Sequence, residues 1–228
     1  MRFVESILMN AYIISLLDSP RTKPAFQRLS AAFPDFHWLI SPGVRLEPQR
    51  VTYEDMQELE CYWNWEKVHN GYPVRAVGCR LAGLQALTLG VQNARVNDQD
   101  FFAVFEDDAV PVADAAARLG RLLESGDGDW DCLWLDETQL RAAKGEDGRL
   151  YGARLTTGYV IRTCYAEDIL PRLAQASCEL DVWLEREMKS GRKFYSDQIV
   201  YQETGVSEIN GSMRWSGRAN SRSSFRGS

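Results

Sequence analysis

Phe101-Phe102-Ala103-Val104-Phe105-Glu106-Asp107-Asp108 joins five apolar residues to three consecutive acids. The apolar run shows no alternation, which is the pattern of a strand covered on both faces of a sheet. The acids begin where that strand ends. In open α/β sheets, ligands bind outside the carboxyl ends of the strands. Adjacent carboxylates repel one another unless a cation lies among them. An all-oxygen set suits a hard divalent ion such as Mg²⁺ or Mn²⁺. Such an ion bridges a diphosphate and offsets the charge that develops on a leaving nucleoside diphosphate. The competing reading is a solvated acidic turn ahead of a helix running from Ala113 to Leu123.

The same logic extends to both sides. Asp131 to Leu135 reads as a second apolar strand, and it too ends in acids, Asp136 and Glu137. Two parallel strands with acids at one end would share an acidic rim. Upstream, Ala11 to Leu16 is a continuous apolar run closed by Asp18-Ser19-Pro20-Arg21. Pro24 to Phe33 has helical spacing, and Phe36 to Ile40 is a short strand ahead of Ser41-Pro42-Gly43. A β-α-β opening of this kind begins an open parallel sheet. Val77 to Val91 predicts a helix with Leu81, Leu84, Leu87 and Val91 on one face. Thr157 to Arg162 reads as a strand, Tyr165 to Ala174 and Asp181 to Ser190 as helices, and Phe194 to Tyr201 as short and mixed. Gln49 to Gly71 has no clean period. No repeat or internal linker appears, so residues 1–210 are expected to form one domain, with a Gly/Ser/Arg-rich flexible tail over 211–228.

Bulk composition narrows the partners. Of 228 residues, 45% are hydrophobic and 25% charged, ordinary values for a globular domain. The net charge of -6 argues against an extended phosphate-binding surface. The tail is locally basic, with Arg214, Arg218, Arg222 and Arg226 and no acid between them. That leaves nucleic acid or an anionic membrane surface as a partner, against the grain of the overall charge. Five scattered cysteines form no CxxC pair, which speaks against zinc and for a reducing cytoplasm. Cys79, Cys132 and Cys164 lie in apolar runs and read as small buried hydrophobes. The apolar stretch from Ile7 to Leu17 is too short to span a bilayer, and Glu5 sits where a signal peptide carries positive charge. The two histidines, His37 and His69, lie far from the acids in sequence.

The order of motifs resembles glycosyltransferase family 25, which includes bacterial lipopolysaccharide and lipooligosaccharide glycosyltransferases and the collagen galactosyltransferases. The opening strand and D-R-S-P-x-R turn of that family resemble Ala11-Tyr12-Ile13-Ile14-Ser15-Leu16-Leu17-Asp18-Ser19-Pro20-Arg21. Its G-C-x-L-S-H-x-x-A-L resembles Gly78-Cys79-Arg80-Leu81-Ala82-Gly83-Leu84-Gln85-Ala86-Leu87. Its L-E-D-D resembles Phe105-Glu106-Asp107-Asp108, and its W-D-x-L-x-L resembles Trp130 to Leu135. Thr156 to Arg162, Leu180-Asp181-Val182-Trp183, Gln202 and Ser207-Glu208-Ile209 follow in the family's order. The chain departs where the family has Ser-His and it has Ala82-Gly83, where the first-strand Asn is Ser15, and where a late Asp is Trp183.

This resemblance implies a GT-A-like, Rossmann-type open mixed sheet flanked by helices. It implies inverting transfer from a nucleotide-sugar donor, a UDP-hexose, to a hydroxyl acceptor on a glycan. Ser15, Leu16 and Arg21, with Gly78, Glu106 and Asp107, would face the donor. Asp108 would be the lead metal ligand for Mn²⁺ or Mg²⁺, with Asp107 and Glu106 beside it. An inverting transfer needs one general base. Asp181 is the first choice, although an Asp at a helix start is also a common N-cap. Asp136, Glu137 and Asp197 compete for the role. Other readings of the same residues are a glycosyltransferase acting on nucleic acid bases, a metal-dependent phosphohydrolase, and a non-catalytic α/β module.

Overall fold

A computed structural model describes residues 9–46, 72–138, 140, 144–176 and 178–203. Residues 49–71, whose sequence has no clean period, and the tail 211–228 lie outside the described residues. Three elements open the chain: β1 (Met9–Ser15), α1 (Thr22–Ala32) and β2 (Phe36–Pro42). Then come α2 (Tyr72–Val96), β3 (Phe101–Glu106), β4 (Ala109–Pro111) and α3 (Ala115–Leu123). The last elements are β5 (Cys132–Trp134), β6 (Gly158–Arg162), α4 (Thr163–Ala174), α5 (Leu180–Lys189), β7 (Phe194–Ser196) and β8 (Val200–Gln202).

Six strands form one mixed sheet in the order β2-β1-β3-β6-β5-β7. β1 pairs in parallel with both β2 and β3. β6 is antiparallel to its neighbours β3 and β5, and β5 is parallel to β7. β3 and β5 therefore point the same way with β6 reversed between them. A two-stranded antiparallel sheet, β4 with β8, sits beyond the end of β3.

Side chains of successive strand residues alternate between faces, and each face carries its own core. Tyr12, Phe102, Val104, Trp134, Tyr159 and Ile161 pack under α2, α4 and α5. Ala11, Ile13, Ala103, Phe105, Leu133 and Val160 pack under α1 and α3. Helices on both faces explain why the central strands are apolar without interruption. Gly90 lets α2 lie directly on β3, because a Cβ there would come within 2.2 Å of the Phe102 ring.

The expected α/β order holds, with some differences. The mixed stretch after Phe194 resolves into two strands belonging to different sheets, β7 and β8. β4 follows the acids immediately, where a solvated turn was the competing expectation. Such three-residue strands are too short to show a period. Cys132 is buried as expected, but Cys79 and Cys164 are exposed on α2 and α4. An apolar run in a helix does not say which of its residues face outward. Among the described residues, no helix is long and apolar enough to cross a membrane.

Candidate functional site

The acids after β3 meet the turn after β1. Ser15 Oγ, at the end of β1, donates to Asp107 Oδ2 at 2.7 Å, and Ser19 Oγ donates to the same oxygen at 3.2 Å. Arg21 closes the corner: its Nε lies 3.7 Å from Asp107 Oδ1, and its Nη1 lies 3.7 Å from Asp108 Oδ2. Both aspartates are buried. The turn itself is tight, with Leu16 O accepting from Ser19 N at 2.9 Å and from Thr22 Oγ1 at 3.3 Å.

Backbone contacts hold the acids from two sides. Arg28 on α1 donates from Nη2 to Asp107 O at 2.5 Å and from Nε to Ala109 O at 2.6 Å. On the other side, Glu203 N donates to Asp108 O at 2.7 Å. Sequence reading passed over Arg28. Its signal was the spacing from Arg21, seven residues along the same helical face, two turns apart.

The position in the topology matters as much as the contacts. The chain leaves β1 through α1 to β2 on one side, and α2 then carries it to β3 on the other. The carboxyl ends of β1 and β3 thus flank the point where the strand order reverses, the usual ligand crevice of an open α/β sheet. Gly78 lies in the first part of α2 at this same end. Its missing Cβ admits the Val44 carbonyl, which would otherwise be only 2.5 Å away.

Glu106 turns elsewhere. Thr156 Oγ1 donates to its Oε1 at 2.6 Å, and Gln202 Nε2 donates to its Oε2 at 3.4 Å. Glu106 was expected beside Asp107 and Asp108 as a metal ligand, and its carboxylate instead faces Thr156 and Gln202. Among the described residues, no three metal-ligating side chains come together. Consecutive residues leaving a strand point to opposite faces, so Glu106 falls on the α2 face while Asp107 and Asp108 gather around Arg21.

The segment before β6 ties Glu106 to Asp181. Leu155 adopts φ of 70°, a strained backbone for a branched side chain. Its N–H donates to Asp181 Oδ2 at 3.3 Å, and the next residue is Thr156. Asp181 also accepts from Val182 N at 2.7 Å, and Arg154 Nη1 stands 3.9 Å from it. Asp181 lies within the first turn of α5, while Glu179 occupies the N-cap. It therefore clamps a loop rather than capping its helix.

The remaining acids differ in their partners. Glu137 accepts from Ser196 Oγ at 2.8 Å and pairs with Lys144. Asp197 pairs with Arg118 Nη1 at 2.9 Å. Asp136 is 1% exposed. Its Oδ1 accepts from Thr138 N at 2.9 Å and from Thr138 Oγ1 at 2.6 Å, while its buried Oδ2 meets no hydrogen-bond partner among the described residues.

For a divalent cation, the corner fits by donor chemistry. Two buried carboxylates, Asp107 and Asp108, offer oxygen donors of the kind a hard cation takes. Asp108 and Asp107 are the residues that would hold it, with Glu106 outside the set.

No protein-family model matches the chain, and no curated protein matches it. Among the solved structures that resemble it in overall shape are two at the same TM-score. A197 from STIV is 14% identical, over 84% of this chain and 83% of that one, with a TM-score of 0.45. A glycosyltransferase involved in the glycosylation of the major capsid of PBCV-1 is 8% identical, over 83% of this chain and 82% of that one, also at 0.45. Likeness at that level carries no inference about chemistry, which rests on the residues themselves.

Proposed function

We propose that the chain is a glycosyltransferase that moves a hexose from a nucleoside-diphosphate donor, a UDP-sugar, to a hydroxyl of a glycan acceptor with inversion. One observation carries this reading: buried Asp107 and Asp108 face Arg21 at the point where the strand order reverses. The carboxyl edge of β1 around Ser15 and Leu16 offers backbone groups to a base, and Arg21 offers N–H groups to phosphate. A divalent ion held at Asp108 and Asp107 would supply charge neutralisation to the diphosphate.

Asp181 is the proposed base for the acceptor hydroxyl. It stands at the amino end of α5, and the Leu155 backbone fixes its carboxylate. Glu137 is less suited, because Lys144 and Ser196 Oγ already occupy its carboxylate.

The experiment is a thermal-shift screen of nucleotide sugars with and without Mn²⁺, on the wild-type chain and on Asp108→Ala. Stabilisation by one donor that requires the metal and disappears in D108A is the expected result. A chain that no sugar nucleotide stabilises under either condition would remove the basis for the reading.

A further inference from the structure

The carboxyl edge of the sheet holds a second polar group of side chains, separate from the Arg21 corner. Phe105 pairs with Gly158, and Glu106 N donates to Thr157 O at 3.0 Å. On the other side of β6, Leu135 N donates to Gly158 O at 3.0 Å. Extending both registers by one residue places Glu106, Thr157 and Asp136 in one row across three neighbouring strands.

Alternation puts all three side chains on the same face. Val104, Tyr159 and Trp134 form the row beneath, and all belong to the core under α2, α4 and α5. In these two rows, four buried polar atoms meet no hydrogen-bond partner among the described residues. They are Asp136 Oδ2, Thr157 Oγ1, Tyr159 OH and Trp134 Nε1. Buried polar groups are nearly always satisfied by protein, water or ligand. Four orphans on one face of two adjacent strands, with Thr157 and Asp136 0% and 1% exposed, leave hydrogen-bonding capacity that water or a polar guest would satisfy.

The atoms also define the guest. Asp136 Oδ2 accepts only, Trp134 Nε1 donates only, and the two hydroxyls do either. The Asp136 carboxylate repels an anion, and one uncommitted carboxylate oxygen is too small a set for a metal ion. A hydroxyl, which donates and accepts at once, suits the row. The stacked rings of Trp134 and Tyr159, 6.2 Å apart, floor it with apolar surface.

Building on the glycosyltransferase reading, we propose that Asp136 and Thr157 bind hydroxyls of the transferred sugar, with Tyr159 and Trp134 beneath them completed by ordered water. Asp136 is then a specificity-determining residue rather than the base.

Titration calorimetry tests this with UDP-glucose, UDP-galactose and GDP-mannose set against UDP and GDP, all with Mn²⁺. Asp136→Asn and Thr157→Val should each weaken the preferred sugar nucleotide by about tenfold, and leave the matching free nucleotide within about twofold. Thr157→Val is nearly isosteric and uncharged, so it carries the test if D136N fails to fold. If either folded variant weakens sugar nucleotide and free nucleotide equally, or weakens neither, the assignment is wrong while the parent reading survives. If the wild type binds none of the five probes, both fall together.

Discussion

Arg28 offers the sharpest test of how the acidic corner is held. Replacing it with Ala removes two charge-assisted donations, to the carbonyls of Asp107 and Ala109. Hydrogen bonds to charged groups contribute about 1.5–3 kcal/mol each. The Arg28 side chain is 22% exposed, and its contact with the half-exposed Glu203 at 3.7 Å adds little. Taking the low end for both bonds gives a loss of about 3 kcal/mol. For a chain of this size that corresponds to a fall in Tm of about 6–12 °C. Urea unfolding followed by circular dichroism should show a lower midpoint with an unchanged slope. Arg28→Lys has one donor group in place of a fork and should recover about half of the loss. A midpoint that does not move in R28A would show that Glu203 and the β4–β8 pairing hold the acid turn without α1.

Other expectations concern parts of the molecule away from that corner. Burial pushes the Tyr12, Tyr159 and Tyr165 hydroxyls above their ordinary range, so the folded chain keeps them protonated where the unfolded chain ionises. Stability is therefore intact below about pH 10 and falls above it by about 1.4 kcal/mol per pH unit for each such tyrosine. Tyr159→Phe should flatten that alkaline slope by one tyrosine's share, and an unaltered slope would contradict its burial. Gly158→Ala would bring a methyl to 2.9 Å from Phe105 Cδ1 and 3.0 Å from Val200 Cγ2. It should cost about 1–3 kcal/mol by overpacking, read from the urea midpoint. Iodoacetamide with peptide mass spectrometry should label Cys79 and Cys164 in the native protein, while Cys132 waits for unfolding. Burial raises the Cys132 thiol well above its usual range, which suppresses the reactive thiolate. Equal labelling of all three would contradict this packing.

Much of the fold was legible because apolar runs report burial directly. Phe101 to Phe105 had to be a covered strand, and the β-α-β opening followed from Ile13, Ile14 and Leu29 in their periods. The contact of Ser15 with Asp107 spans 92 residues, and no local pattern encodes it. The split within Glu106-Asp107-Asp108 was hidden for a related reason. Composition shows three acids together, whereas strand geometry sends the first one to the opposite face. Arg28 went unnoticed because its partners, the carbonyls of Asp107 and Ala109, are brought close only by the fold. Asp136 was legible as an acid at a strand end, but Glu106 joins its row from β3, which reaches it only across β6.

The reversed direction of β6 has a further consequence. A parallel strand contributes only its exit to the ligand edge, but an antiparallel one contributes its entrance. The connection from Trp134 to Gly158 therefore departs from that edge and returns to it, through Asp136 at one end and Thr156-Thr157 at the other. Insertions or deletions within this connection would remodel the rim without shifting a single strand pairing. Selectivity for what is brought to the site can drift there while the sheet and the Arg21 corner are inherited unchanged.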